Sequence, residues 1–286
     1  EDTREFLQRL VGSAIHGQHR EDILVIGLGP LASNGKTRFD NAILHALGDY
    51  AAPIRRELLL ETTFTTPFDV MPLFGRRYVS IDETRRNARM DEGKFKNLTG
   101  GGEISGQHKY QKETTWQATH TVFLYTNHGP KIIGDDRGSW RRIVVMPFDA
   151  VISEREANTG LLGQLQTTEV AEVVLSWLVA GYVKYDRKGL KDKPVDVENA
   201  TRAYREENDE IQKFLNECCA FGPDLKETNS VLYSSYVHWC KNNDVADALS
   251  TQQFGKALET KGFYKGKTGY RERKGLCLND TGKTQI

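Results

Sequence analysis

The sequence predicts an α/β protein, with a largely parallel central sheet in its first half, then a helical segment and a small C-terminal unit of helices and a hairpin. Three observations predict it. Compact apolar runs at DILVIGLG (22–29), GRRYVSIDE (75–83), ATHTVFLYTN (118–127) and WRRIVVMPF (140–148) are separated by helical or mixed segments, which favours parallel pairing. The first run passes through glycines into TRFDNAILHALGDY (37–50), where Phe39, Ile43, Leu44 and Leu47 have helical spacing and Gly48 is a stop. Near residue 150 short apolar runs give way to long helical periodicities.

In chain order, REFLQRLVGSAI (4–15) reads as a short helix, and the glycine-rich stretch LTGGGEISGQHKYQKE (98–113) as a projecting turn or hairpin. TTEVAEVVLSWLVAGYVKY (167–185) is a helix with one apolar face, and RKGLKDKPVD (187–196) is a charged linker broken by Gly189 and Pro194. Beyond it, residues 197–219, 230–243 and 251–263 read as three helices, the last begun by Ser250 or Thr251. Residues 264–280 alternate like a hairpin, so the end of the chain suggests a winged helix. The expected organisation is a core at 1–150, a helical extension and linker at 151–196, and a winged-helix-like domain at 197–286. Tyr204, Phe214, Leu215, Tyr236, Trp239, Phe254 and Leu258 are its expected core.

Composition excludes several classes. The 39 basic residues balance 39 acidic ones, so no bulk polyanion-binding character is expected, although a local surface can still carry it. Cys218, Cys219, Cys240 and Cys277 form no C-x-x-C pair and no histidines stand at ligand spacing, which argues against zinc and a disulfide framework and fits a reducing, intracellular setting. No apolar run reaches the roughly 18 residues of a membrane span, and the first residues are not a signal peptide. The chain opens on Glu1 instead of methionine, so a piece of a longer protein is expected, with an N-terminal partner domain elsewhere.

The sharpest chemical signal is SNGKT (33–37) between the first strand and its helix. Backbone N–H groups at a helix start cradle phosphate oxygens, Lys36 reaches the outer phosphates, Thr37 ligates magnesium, and Gly35 leaves room where a side chain would crowd. Pro30 stands where the G-x-x-x-x-G-K-[ST] pattern has glycine, preceded by Gly29, so either the loop is one residue longer or proline's fixed φ suits its opening turn. GKT recurs at 266–268 and 282–284 without a flanking strand and helix. Asp82 and Glu83, at a strand end, suit a magnesium-holding carboxylate and a general base, respectively. Asn127, at the next strand end, suits orienting water beside the γ-phosphate. Arg141 and Arg142 are candidates for an arginine aimed at a neighbour's nucleotide.

In this order the pieces resemble the superfamily 3 helicases, in particular the phage and plasmid primase-helicase group that includes the poxvirus D5-like proteins. The resemblance is carried by SNGKT with its helix and LGDY, RRYVSIDE, KFKNLTGGGEISGQHKYQKE, TNHGPKI and DDRGSWRRIVVMPF, and more weakly by the segments from 175 to 263. It implies an AAA+-like ATPase core that binds ATP and Mg2+, assembled as a ring, usually a hexamer, around single-stranded or forked DNA. A primase or polymerase domain in the full-length protein, no membrane association, and action in the host cytoplasm for a phage or plasmid are implied with it. By the same resemblance Asn34, Gly35, Lys36 and Thr37 form the phosphate loop and Asp82 and Glu83 are the paired acids. Asn127 is the sensor, and Arg142 matches the arginine finger better than Arg141. Lys96, His108, Lys109 and Tyr110 fall in or near the pore loop, where phosphate-directed contacts and stacking suit a motor that passes every sequence.

The last 36 residues carry eight basic against three acidic side chains, and Lys256, Lys265, Lys267, Arg271 and Arg273 are candidates for duplex contact there. Two other readings share the phosphate loop: a nucleotide-dependent ring or loader with little unwinding, and a small-molecule kinase.

Overall fold

A computed structural model describes residues 3–29, 31, 33–62, 66–85, 88–132, 137–243, 245, 248–266 and 272–285. It divides into two compact units, Glu1–Arg205 and Glu206–Ile286.

In the first unit, helix α1 (Thr3–Ala14) precedes strand β1 (Leu24–Leu28) and helix α2 (Lys36–Leu47). There follow β2 (Ala51–Pro53), β3 (Tyr78–Asp82), α3 (Glu92–Thr99), the hairpin β4 (Glu103–Gly106) and β5 (Thr114–Gln117), β6 (Thr121–Thr126), the short α4 (Arg137–Trp140) and β7 (Ile143–Pro147). Helices α5 (Leu161–Leu165), α6 (Thr168–Lys188) and α7 (Val195–Asn208) complete the series. The order β2-β3-β6-β1-β7 forms one sheet, parallel throughout. β1 therefore lies between β6 and β7, and the crevice outside the carboxyl ends there is where such sheets collect ligands.

Each face of the sheet has its own core. On one face Val25, Phe123 and Val144 pack with Phe6, Leu10, Ile43 and Leu178 of α1, α2 and α6. On the other, Ile26, Ile81, Leu124 and Val145 pack with Phe95, Trp140 and Tyr204. Near-continuous apolar strands follow from cover on both faces. α1 and α6 meet at glycines: a Cβ on Gly181 would stand 2.1 Å from Gln8 O, and one on Gly12 2.4 Å from Tyr182 N. The helical extension is thus built into the first unit, and Tyr204 is core there, its hydroxyl donating to Pro130 O.

The second unit holds α8 (Glu210–Cys218), β8 (Cys219–Thr228), α9 (Asn229–Asn242), α10 (Thr251–Thr260), β9 (Glu272–Leu278) and the short α11 (Asp280–Lys283). Phe214, Tyr236, Trp239 and Phe254 pack at its centre, all nearly inaccessible, with Phe214 edge-on to the other three rings. Of the two expected starts, Ser250 is the one that caps α10, through a reciprocal pair with Gln253.

Three expectations need correction. The helix read over 197–219 is two helices, because the Asp209 side chain accepts from Gln212 N and starts α8 afresh. The boundary between units falls at 205/206, beyond the charged stretch expected as a linker. Most of the pairing of β9 is with β8, with an irregularity between Phe221 and Lys226, while among the described residues of 264–280 one bridge, Lys265–Arg273, is formed.

Candidate functional site

β1 ends in Leu28 and the chain turns through Ser33 (φ 60°) and Gly35 (φ 83°) into α2. The left-handed Gly35 caps the helix, and Ile152 N donates to Ser33 O at 2.8 Å, pinning the turn to the segment after β7. Asn34 faces inward on its own loop, donating to Leu31 O at 2.6 Å and Gly29 O at 3.4 Å. Thr37 is exposed in the first turn. Pro30 lies outside the described residues.

Sheet register brings the strand-end candidates level. Leu28 is opposite Thr126, so Gly29 and Asn127 follow side by side, and Asp82 is opposite Tyr125. Lys36 is buried, and its ammonium donates to Asn127 Oδ1 at 2.8 Å and Gly29 O at 3.1 Å. Burial lowers its pKa, while Glu83 and then Asp82 act to raise it. One ammonium therefore joins the turn, the end of β6 and the field of both acids.

Alternation along β3 puts Tyr78, Ser80 and Asp82 on one face. Tyr78 there donates to Asp40 Oδ1 of α2 at 2.7 Å, which directs that face toward the helix begun by the phosphate turn. Glu83 follows with φ 32°, outside the range of extended backbone, and its N–H donates to Tyr125 O. A strained residue at a strand end is a common mark of a functional site. Thr84 and Thr126 share a 3.0 Å hydroxyl contact and both donate to His128 O, tying the two strand ends together.

Sequence reasoning passed over Asp40. Burial lifts its pKa to about 6; hydrogen bonds from Tyr78 and Ser80 pull it down, and Asp82 adds to the rise. Tyr78 and Tyr125 hydroxyls meet at 2.9 Å beside it. A polar residue at an otherwise inward helical position was the available signal.

The two arginines lie at the other end of the sheet. Leu24 N donates to Arg142 O at the start of β1, so they stand about 13–16 Å from the strand ends that hold Lys36. Arg141 is exposed. Arg142 is mostly covered: one guanidinium nitrogen lies 3.0 Å from Asp22 Oδ2 and another donates to Thr99 Oγ1 at 3.3 Å. The residue favoured as the projecting arginine is thus engaged inside its own chain.

The β4–β5 hairpin carries His108, Lys109 and Tyr110 at its exposed tip. Tyr110 has φ 67° and is 91% exposed, with the Lys109 ammonium 5.0 Å from its ring centroid. Lys96 stands on α3, away from the tip, and pairs with Glu92 at 2.5 Å.

In the second unit an open groove of about 720 Å³ is lined by Asn229, Ser230, Thr251, Gln252, Lys256 and Lys265, among others. Lys256 and Lys265 are exposed there, whereas Lys267 and Arg271 lie outside the described residues. Arg273 is not a contact residue. It is wholly buried and donates to Asn229 Oδ1, Glu259 Oε1, Phe263 O and Gly255 O. Its guanidinium is consumed in joining α9, α10 and β9, since a buried charge needs a full set of partners.

A family model described as poxvirus D5 protein-like matches residues 206–280. The chain is 26% identical over 260 residues to an Acanthamoeba polyphaga mimivirus protein named "Putative helicase", covering 84% of this chain and 27% of that protein. It is 23% identical over 262 residues to an African swine fever virus protein named "Putative primase", covering 85% and 27%. These matches support a relationship to the D5-like helicase-primase superfamily. The chain spans little more than a quarter of the length of these relatives. In fold it is similar to the C-terminal region of NrS-1, with a TM-score of 0.51 at 14% identity, covering 97% of this chain and 72% of that one. Among the described residues no helix is long and apolar enough to cross a membrane.

Proposed function

We propose that the chain is an AAA+-type, ATP-hydrolysing motor core that moves on single-stranded DNA in phage or plasmid replication, works as a ring of copies, and carries a winged-helix domain as its second unit. The observation that carries this reading is the Lys36 ammonium held between Gly29 O and Asn127 Oδ1, with Glu83 and Asp82 acting on it.

The residues fit a nucleotide with its magnesium. A Cβ on Gly29 would stand 2.2 Å from Asn34 Nδ2 and 3.0 Å from Lys36 Nζ, so the turn tolerates no side chain where phosphates would be cradled. Thr37 and Asp82 would hold Mg2+, whose charge, when bound, stabilises the oxygens of the transferred phosphoryl group. Lys36 binds the outer phosphate oxygens, Asn127 orients the attacking water, and Glu83 accepts its proton. Arg141, exposed at the opposite end of the sheet, suits insertion beside a neighbouring copy's nucleotide.

Lys109, Tyr110 and His108 at the hairpin tip would take phosphates and bases of a single strand. Lys256 and Lys265, with Lys267 and Arg271, would meet duplex phosphates. The names of the mimivirus and African swine fever virus relatives support nucleic acid as the partner class.

The test is steady-state ATP hydrolysis with Mg2+, with and without single-stranded DNA, alongside sizing in a non-hydrolysable nucleotide. The reading expects DNA-stimulated turnover and a nucleotide-dependent assembly. Hydrolysis indifferent to DNA, by a monomer, would contradict it.

A further inference from the structure

Thr99 closes α3, and directly after it come Gly100, Gly101 and Gly102, from which β4 rises toward the hairpin tip. This hairpin base is held by side chains from outside it. Arg142 donates to Thr99 Oγ1 at 3.3 Å and lies 3.0 Å from Asp22 Oδ2. The other Asp22 oxygen is 2.9 Å from His19 Nε2, and the His19 ring lies against the glycines, since a Cβ on Gly101 would stand 2.7 Å from its Cδ2. Thr99 itself is 1% exposed and its hydroxyl donates to Phe95 O at 2.8 Å, leaving its lone pairs for Arg142. Beside it His120 Nε2 donates to Leu98 O at 3.0 Å from a ring that burial keeps neutral, with a pKa pushed down to about 4.

We propose that Arg142 is a positioning residue that fastens the turn carrying Arg141 to the base of the β4–β5 hairpin, so that a shift of that turn is transmitted to the strand-contacting tip. The inference rests on the reading of the chain as a strand-stimulated NTPase. Its physical basis is adjacency. Arg141 and Arg142 share a peptide bond, so Arg141 cannot be drawn outward without pulling on a guanidinium whose planar fork reaches two acceptors. The far acceptor sits immediately before three glycines, the residues that change φ and ψ most freely. The buried Nε of Arg142 finds no hydrogen-bond partner among the described residues, so the hold of the guanidinium on this base runs through its two terminal nitrogens.

Thr99→Val keeps shape and removes the acceptor, and Asp22→Asn weakens the opposite anchor at a side chain that is 45% exposed. Hydrolysis by the full chain is measured with and without single-stranded DNA. Both variants are expected to keep basal kcat and KM within about 2-fold and to lose about 5-fold or more of the stimulation by DNA. Arg142→Lys, whose ammonium lacks the planar fork, should lose stimulation too, and adding Asp22→Asn to it should cost little more, as for two residues in one network. Undiminished stimulation in both Thr99→Val and Asp22→Asn overturns the proposal, and so do equal losses of basal and stimulated rates. If Thr99→Val does not fold, Asp22→Asn decides alone. Wild-type chain that hydrolyses ATP without any response to DNA defeats the functional reading itself, which separates that failure from failure of the link.

Discussion

Lys36 Nζ and Asn127 Oδ1, 2.8 Å apart, join the turn after β1 to the end of β6. The contact is made by neighbouring strands of a parallel sheet, whose register sets Gly29 level with Asn127. Asn127→Ala should therefore do two things at once, freeing the lysine from its neutral partner and removing the amide that orients water. The expected result is ATP affinity within about 3-fold of wild type and kcat lower by about 10- to 100-fold, read from steady-state kinetics. A pure KM effect would contradict the role.

Glu83 follows Asp82 at the end of β3 with a φ of 32°, outside the range of extended backbone. Glu83→Gln should bind nucleotide and magnesium about as tightly as wild type and turn over at least about 100-fold more slowly. Nucleotide binding by fluorescence and turnover by phosphate release separate the two quantities, and normal release by this variant would remove the base assignment.

Asp40 links site chemistry to stability. Its pKa rises from 3.8 to about 6 through burial, so the folded chain holds the proton more tightly than the unfolded one. The stabilising contribution is complete below about pH 3.8 and is lost as pH climbs through about 6. Asp40→Asn stays neutral and can still accept from Tyr78. It should gain on the order of 1–3 kcal/mol over wild type at pH 8 and little at pH 4, by urea denaturation. A difference independent of pH would show that ionisation is not the cause.

The elements legible in the sequence are those with local signals. The strand–SNGKT–helix unit, the glycine-rich hairpin and the Ser250 cap each declare themselves within a few residues. β2 is three residues ending in Pro53, and β8 contains Gly222 and Pro223 inside its irregularity, so both exist only through partners supplied by tertiary structure. Sheet order then put the arginines opposite the phosphate turn and set Asp22 beside Arg142, pairings that no window of sequence contains. The charge count near the C-terminus misled at Arg273, because counting basic residues cannot distinguish a solvated guanidinium from one consumed by Asn229, Glu259 and two carbonyls.

That difference is measurable. Arg273→Met should destabilise the second unit by about 2–4 kcal/mol, since it leaves buried acceptors unpaired. Lys256→Ala with Lys265→Ala should leave stability within about 0.5 kcal/mol and lower the salt dependence of DNA binding by about one to two phosphates. Equal thermal stability of all three proteins would contradict the burial argument.

The hairpin tip should act on stimulation before it acts on chemistry. Lys109→Ala combined with Tyr110→Ala is expected to weaken single-strand binding by about 10-fold or more and to leave hydrolysis without DNA within about 2-fold. Anisotropy with a labelled oligonucleotide checks the first, and the basal rate checks the second.

The central claim is that the turn at 33–37 closes on a triphosphate beside two strand-end carboxylates, and calorimetric titration of a non-hydrolysable ATP analogue tests it most directly. Wild type with Mg2+ should take up the analogue at one site per chain, and Lys36→Ala should lose at least about 100-fold in affinity while remaining folded. Uptake that ignores magnesium, or equal binding by the two proteins, would contradict the account.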